Sequence, residues 1–194
     1  KTLPSDDTGV FHILEHSVLC GSEKYPVKEP FLDLLKSSMN TFLNAMTFPD
    51  KTVFPVSSRN DTDFMNLTKV YLDAVFRPDI YRNPSIFRQE GWHIEMRKET
   101  DEPLYKGVVF NEMKGVMDSV NNRIELAVLR ALYPDNCYHW ESGGDPVSIP
   151  DLTHEQFIEH HRTFYHPSNS YIYLDGPVDI DSVLELIDGE YLSG

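Results

Sequence analysis

Residues 8–20, TGVFHILEHSVLC, are the stretch that decides how this chain folds. Asp6 and Asp7 stand just before it, and either carboxylate can cap the first turn of a helix. Gly21 follows it and is typical of a helix end. The pattern therefore predicts one helix, whose apolar residues share a face because successive residues are about 100° apart. That face contains Phe11, Leu14 and Val18.

The other face of this helix carries His12, Glu15, His16 and Leu19. Two imidazoles at positions i and i+4 project from adjacent turns, so both can reach one zinc ion at about 2.0–2.1 Å. Glu15 beside them is placed to take a proton from zinc-bound water as that water attacks a carbonyl. The order His-x-x-Glu-His is the inverzincin signature. The alternative is a solvated helix face that happens to carry two histidines.

A catalytic zinc ion usually has three protein ligands, so a third is needed. Residues 107–117, GVVFNEMKGVM, predict a helix with an apolar stripe and with Glu112 facing away from that stripe. Gly115 is expected to allow a close backbone approach nearby. Because the chain has 31 acidic residues, spacing alone leaves Glu112 as either a ligand or an ordinary surface glutamate. The stripe consists of Phe110, Met113 and Met117.

The rest of the chain alternates between helical and extended patterns. Residues 41–48 and 52–57 predict a hairpin, and Pro55 places the second strand at an edge or a bulge because it lacks an N–H. A strand is also predicted at 170–176, and a loop at 141–151. Helices are predicted at 30–39 with Phe31, Leu34 and Leu35 inward, at 61–76 after Asn60, at 85–98, within 106–132, at 153–165 with a Thr153–Gln156 capping box, and at 179–187.

Composition narrows the function classes. The chain has 194 residues with 40% apolar and 25% charged side chains, as expected for a globular protein. Its net charge of −14 argues against nucleic-acid binding; it suits cationic ligands or simply favours solubility. No apolar run approaches the roughly 18 residues of a membrane span. Cys20 and Cys137 lie in unrelated contexts, so no disulfide framework is expected. A start at Lys1 predicts missing upstream residues.

Several segments together resemble the presequence protease branch of the pitrilysin family of zinc peptidases, over nearly the whole chain. The resemblance implies that Glu112 is the third zinc ligand. It also implies an α+β fold, a two-layer sandwich of helices packed on a mainly antiparallel sheet. The segments are GVFHILEHSVLCGSEKYP (9–26), NTFLNAMTFPDKT (40–52), VYLDAVF (70–76), FRQEGWHIE (87–95), KGVVFNEMKG (106–115), SGGDP (142–146) and YHPSN (165–169).

The same resemblance implies a zinc-dependent endopeptidase that degrades short unfolded peptides, with Glu15 as general base. Residues 1–194 would then be part of the first, catalytic domain, with upstream strands and later domains absent. An arginine and a tyrosine from the distant half would help to hold the substrate, so this chain alone is expected to be inactive. The alternative is a non-catalytic structural or peptide-binding module of the same fold. A bacterial cytoplasm is favoured over an organelle matrix.

Substrate contacts are expected at two places. An extended peptide could add to the sheet at the edge formed by Asn44, Ala45, Met46 and Thr47. The alternative is that this segment is a plain core strand of the hairpin. Leu19, Phe31 and Leu35 resemble the family's apolar pocket, although such side chains are more often core. Glu90 matches an acidic residue of the family, and the resemblance implies that it orients a ligand histidine or the water; the alternative is a surface carboxylate. Cys20 is expected to be a small buried thiol.

Overall fold

The computed structural model describes residues 1–28, 30–96 and 98–192, with the side chain of Leu32 left aside. The described residues form α-helices separated by short antiparallel strands and 3-10 turns. The helices are α1 (Val10–Val18), α2 (Pro30–Ser37), α3 (Asp61–Phe76), α4 (Ser85–Glu90), α5 (Val108–Met117), α6 (Val120–Leu132), α7 (His154–Phe164) and α8 (Ile180–Ile187). The strands are β1 (Asn40–Leu43), β2 (Met46–Phe48), β3 (Lys51–Val53), β4 (Val56–Ser58), β5 (His93–Glu95) and β6 (Leu104–Lys106).

Helix α1 lies at the centre of the main hydrophobic core and contacts α4, α5 and α7. The predicted apolar face is confirmed, because Phe11, Leu14 and Val18 are all buried. Burying each such side chain contributes about 1.5–3 kcal/mol relative to leaving it in water. The helix that carries the two histidines predicted to bind zinc is therefore fixed in place by the hydrophobic core. Partners from the other helices include Ile86, Phe87, Val109, Phe110, Met113, Phe157 and Ile158.

The start of α1 differs from the prediction. Its N-cap is Gly9, with φ 65° and no side-chain hydrogen bond, so the prediction that Asp6 or Asp7 caps the helix was wrong. The carboxylate of Asp6 instead accepts from the backbone N–H and the hydroxyl of Thr8. A Cβ on Gly9 would lie 2.6 Å from the carbonyl oxygen of Gly143, so only glycine permits this contact between the helix start and a distant loop.

The predicted hairpin is confirmed, but each arm is divided in two. Strand β1 pairs with β4 and β2 pairs with β3, both antiparallel. Between the two pairs, the N–H of Asn44 donates to the carbonyl of Pro55 at 3.2 Å. Pro55 therefore sits at an interruption of the ladder, as its missing N–H predicted. The hairpin meets α3 in a second, smaller core made by Leu43, Leu67 and Tyr71.

The fold class is confirmed as α+β with antiparallel pairing, although the described strands form three two-stranded sheets instead of one continuous sheet. The two other helix starts predicted from capping, at Asn60 and Thr153, are confirmed. Asn60 accepts from the N–H of Asp63 at 2.9 Å, and Thr153 and Gln156 form a reciprocal capping box at α7. No helix among the described residues is long and apolar enough to cross a membrane.

Three predictions about elements were wrong. The helix predicted at 85–98 ends at Glu90, because Gly91 breaks it and β5 then pairs with β6; Arg97 of that stretch lies outside the described residues. Residues 170–176 form no strand, since no described strand pairs with them, and Tyr171 is 95% exposed. Leu35 does not face inward but is 48% exposed. At 93–95 tertiary pairing outweighed the local helical pattern, whereas residues 170–176 have no strand partner among the described residues.

His161 gives the fold a pH dependence. Its imidazole is buried, its Nδ1 accepts from the hydroxyl of Tyr81 at 2.7 Å, and its Nε2–H donates to the carbonyl of Val75 at 3.0 Å. Burial lowers the pKa of His161 from 6.5 to about 4. Below pH 6.5 the unfolded chain therefore takes up a proton that the folded chain refuses, and the stability contributed by the neutral ring is lost as the pH falls towards 4.

Urea denaturation is expected to show this dependence. The free energy of unfolding should fall by about 2 kcal/mol from this group between about pH 7.5 and about pH 5. The variant His161→Gln should lack that part of the pH dependence, whereas His166→Gln, at an exposed position, should keep it. An identical pH dependence in His161→Gln and the unsubstituted protein would contradict the prediction.

Candidate metal centre

Three side chains from two helices converge at the surface of the main core. His12 and His16 lie one turn apart on α1, and Glu112 lies on α5. One ligand atom from each lies within 4.8 Å of the other two. The carboxylate Oε2 of Glu112 is 3.8 Å from Nε2 of His12 and 3.7 Å from Nε2 of His16. One oxygen of the Glu112 carboxylate therefore faces the Nε2 atom of His12 and the Nε2 atom of His16.

The ring of His12 is oriented by a backbone carbonyl. Its Nδ1 lies 2.9 Å from the carbonyl oxygen of Gly143, which can only accept, so Nδ1 carries the hydrogen. The other nitrogen, Nε2, faces Glu112, whose Oε2 is 3.8 Å away. His12 is only 8% exposed, so this hydrogen bond is shielded from water. A hydrogen on Nδ1 is the arrangement that leaves Nε2 as the nitrogen through which a neutral imidazole binds a metal.

The ring of His16 is oriented by Glu90. Nδ1 of His16 lies 3.5 Å from Oε2 of Glu90, which is 7% exposed and receives a further hydrogen bond from the Gln89 amide at 2.8 Å. Burial by itself lowers the pKa of His16, but the Glu90 hydrogen bond and the nearby carboxylates outweigh it, so the pKa is raised. Burial by itself raises the pKa of Glu90, but the hydrogen bonds from His16 and Gln89 outweigh burial, so the pKa of Glu90 is lowered. Glu90 is thus a buried anion beside a ring nitrogen, not the surface carboxylate that was the alternative.

Glu15 lies on the same helix and is also buried, with 8% exposure. Its Oε2 accepts a hydrogen bond from the hydroxyl of Thr47 on β2 at 2.5 Å. One carboxylate oxygen of Glu15 is therefore held by the hairpin. The sequence placed Thr47 on an edge strand but did not indicate this contact, because it depends on how the hairpin packs against α1.

Glu112 is carried by a helix whose start requires glycine. A Cβ on Gly107, the N-cap of α5, would lie 2.0 Å from the carbonyl oxygen of Gly91, so α5 and the end of α4 approach closely there. Gly115 has no such role, because a Cβ there would meet nothing within 4 Å; the prediction of a close approach at Gly115 was wrong. The carboxylate of Glu112 is 48% exposed, which leaves the cluster open on one side.

These donors fit zinc. Two imidazole nitrogens and one carboxylate oxygen are among the ligand sets that zinc takes at catalytic sites, where an open position remains for water or substrate. Nδ1 of His12 is hydrogen-bonded, and Nδ1 of His16 faces a carboxylate at 3.5 Å, as is typical of metal-binding histidines. The residues present are therefore suited to hold one zinc ion.

The other predicted contact residues lie around the hairpin. Leu19 and Phe31 are partly buried against the second core, whereas Leu35 points towards solvent. The backbone of Asn44 is already engaged, since its N–H donates to Pro55 and its carbonyl accepts from the Tyr71 hydroxyl at 3.3 Å. Ala45 and Met46 follow it, and Met46 begins β2. The structure thus brings Thr47 to Glu15.

Residues 141–145 were not predicted to belong to the site. Gly143 supplies the carbonyl that orients His12, and its N–H donates to Oε1 of Glu141 at 3.0 Å. Burial raises the pKa of the Glu141 carboxyl. The paired glycines of this loop were visible in the sequence, but nothing in the spacing indicated which helix they contact.

Comparisons with known proteins find relatives that match nearly the whole chain. Protein HypA of Clostridium perfringens is 57% identical over 192 residues, which are 99% of this chain and 20% of that protein. Presequence protease 1, chloroplastic/mitochondrial, of Arabidopsis thaliana is 54% identical over 192 residues, which are 99% of this chain and 18% of that protein. The chain is homologous to the presequence proteases. It spans about a fifth of the length of these curated relatives.

Two further comparisons concern the fold and the family. The crystal structure of pitrilysin matches with a TM-score of 0.62 and 17% identity, over 98% of this chain and 19% of that chain, which shows a pitrilysin-like fold. A family model described as the peptidase M16 inactive domain matches residues 151–194. His12, His16 and Glu112 all precede that matched region. The relatives include a bacterial protein and a chloroplastic/mitochondrial presequence protease, so homology alone does not identify a compartment.

Proposed function

We propose that this chain is the metal-binding part of a zinc-dependent endopeptidase that degrades short unfolded peptides. The observation that carries the proposal is the convergence of His12, His16 and Glu112, whose ligand atoms lie within 4.8 Å of one another. Homology to the presequence proteases over 99% of the chain supports the peptidase class. The name of that relative refers to presequences, and we propose a substrate of the same type or another oligopeptide.

Each residue of the site has a proposed task. His12, His16 and Glu112 hold zinc, which supplies a Lewis acid that activates water and polarises the peptide carbonyl. Glu15 is the general base, and it accepts the proton of the attacking water through the carboxylate oxygen that Thr47 does not occupy. Gly143 and Glu90 keep the two rings in the required orientation through their contacts with Nδ1.

The proposed substrate lies along the hairpin as an extended strand. Among the described residues, β2 pairs only with β3, so its other edge has no strand partner. A peptide could add there through backbone hydrogen bonds at residues 45–47, next to Glu15, whereas the N–H and carbonyl of Asn44 are already engaged. Leu19, Phe31 and Leu35 are proposed to contact its apolar side chains, and the net charge of −14 would favour cationic peptides.

We propose that the chain acts within a longer polypeptide as part of its N-terminal catalytic domain, since it spans only about a fifth of its relatives. The later domains would supply the rest of the substrate-binding surface. A bacterial cytoplasmic location is proposed, supported by the 57% identity to a clostridial protein. The competing proposal, a non-catalytic module of this fold, predicts neither bound zinc nor peptide turnover.

Metal removal tests the proposal. Treatment of the full-length protein with a zinc chelator should abolish cleavage of an unfolded basic peptide, and one equivalent of zinc should restore it. The isolated 194-residue chain serves as a comparison and is expected to show little or no turnover. Full activity after complete removal of the metal would contradict the zinc mechanism. Absence of both zinc and turnover in the full-length protein would support the non-catalytic module.

A further inference from the structure

We propose that the ion pair between Asp7 and Arg130 is a positioning device for the His12 ring. It acts through the loop formed by residues 141–145, which we call the glycine loop. The proposal rests on the metal centre proposed above only for its effect on zinc affinity, because the orientation of His12 can be measured without zinc. Neither Asp7 nor Arg130 contacts the candidate ligands directly.

Asp7 binds both ends of the glycine loop. Its Oδ1 accepts from the N–H of Glu141 at 2.7 Å, and its backbone carbonyl accepts from the N–H of Asp145 at 2.8 Å. Its remaining oxygen, Oδ2, accepts from the guanidinium of Arg130 at 2.8 Å. One residue just before α1 therefore ties together the loop and helix α6.

Inside the loop, hydrogen bonds lead from these anchored ends to His12. The side chain of Glu141 accepts from the N–H of Gly143, and its backbone carbonyl accepts from the N–H of Gly144 at 2.9 Å. The carbonyl of Gly143 then accepts from Nδ1 of His12 at 2.9 Å. The position of the loop along α1 thus determines where the acceptor for Nδ1 lies.

The contact between loop and helix leaves little room for adjustment. A Cβ on Gly9 would lie 2.6 Å from both the Gly143 oxygen and the Gly144 Cα, and a Cβ on Gly143 would lie 2.8 Å from the Met113 side chain. The loop is therefore packed between the start of α1 and helix α5, which carries Glu112. A shift of the loop moves the Gly143 carbonyl relative to the imidazole, and the Nδ1–H bond weakens steeply with misalignment.

The ion pair is placed to prevent such a shift. The side chains of Asp7 and Arg130 are 17% and 34% exposed, so water and salt screen them less than an open surface pair. The guanidinium also lies 3.4 Å from the carbonyl of His139, just before the loop. Loss of the guanidinium leaves Oδ2 of Asp7 without this donor and frees the carboxylate to rotate away from Glu141. The alternative explanation is that the ion pair of Arg130 only fastens helix α6 to the rest of the protein, because the buried face of α6 is small.

Two readouts separate these explanations. The first is zinc affinity of the full-length protein by competition with a chromophoric chelator. Arg130→Gln is expected to weaken zinc binding by about tenfold, the lower end of the effect of losing a partner behind a metal ligand. Arg130→Lys should recover most of the affinity, and Asp7→Asn should resemble Arg130→Gln. Arg162→Gln, which removes a largely exposed arginine from a pair with Glu159, should change nothing.

The second readout is the tautomer of His12 in the metal-free protein, from ring nitrogen shifts after histidine-selective labelling with nitrogen-15. The unsubstituted protein and Arg162→Gln should show Nδ1–H, whereas Arg130→Gln and Asp7→Asn should show a mixture of both tautomers. Retention of the Nδ1–H tautomer in both variants, with only a lower melting temperature, would overturn the proposal. A protein that binds no zinc would contradict the proposed function, while the tautomer measurement would still decide this inference.

Discussion

Replacement of Glu15 with glutamine is expected to lower peptide turnover by the full-length protein about a thousandfold, within the range found for loss of a general acid or base. The substitution keeps the size of the side chain and its contact with the Thr47 hydroxyl, but it removes the carboxylate that accepts a proton. Zinc content should stay the same, because Glu15 is not one of the three clustered ligand residues. Turnover and zinc content are therefore measured on the same sample.

Glu125→Gln is the matched control for this experiment. It makes the same chemical change at an exposed position on α6 and should leave turnover unchanged. Cleavage by Glu15→Gln at more than about a tenth of the normal rate would exclude Glu15 as the base. Loss of zinc together with activity would instead indicate that Glu15 is a ligand.

Replacement of Glu112 with glutamine is expected to lower zinc affinity by more than about a hundredfold, because only two imidazole ligands then remain. The carboxylate oxygen that lies within 4 Å of both Nε2 atoms loses its charge. The fold should be retained, since the Glu112 side chain is 48% exposed. Competition titration gives the affinity, and circular dichroism checks the fold.

The same exposed control, Glu125→Gln, should bind zinc normally. An unchanged zinc affinity in Glu112→Gln would show that another group completes the site. Glu90 is then the next residue to substitute, because its carboxylate already lies 3.5 Å from His16. A folded Glu112→Gln variant without zinc would also explain a complete loss of peptide turnover.

Local sequence was enough to predict α1, the hairpin and the capped helices α3 and α7. These elements depend on side chains within a few residues of one another, such as Asn60 with Asp63 or Thr153 with Gln156. The spacing of His12 and His16 is of the same kind, since one helical turn brings them together wherever the helix lies. The predictions failed where a distant partner decided, as at His93–Glu95, whose pairing with Leu104–Lys106 replaced a helix.

The sequence by itself determined a helix with two imidazoles and a carboxylate on one face, and through resemblance it singled out Glu112. Only the tertiary structure decided that Glu112 meets both Nε2 atoms, that Thr47 holds Glu15, and that the Gly143 carbonyl orients His12. These contacts join residues far apart in the chain, and their geometry follows from how α5, the hairpin and the glycine loop pack against α1. Local periodicity carries no information about that packing, because it reports only which face of an element is apolar.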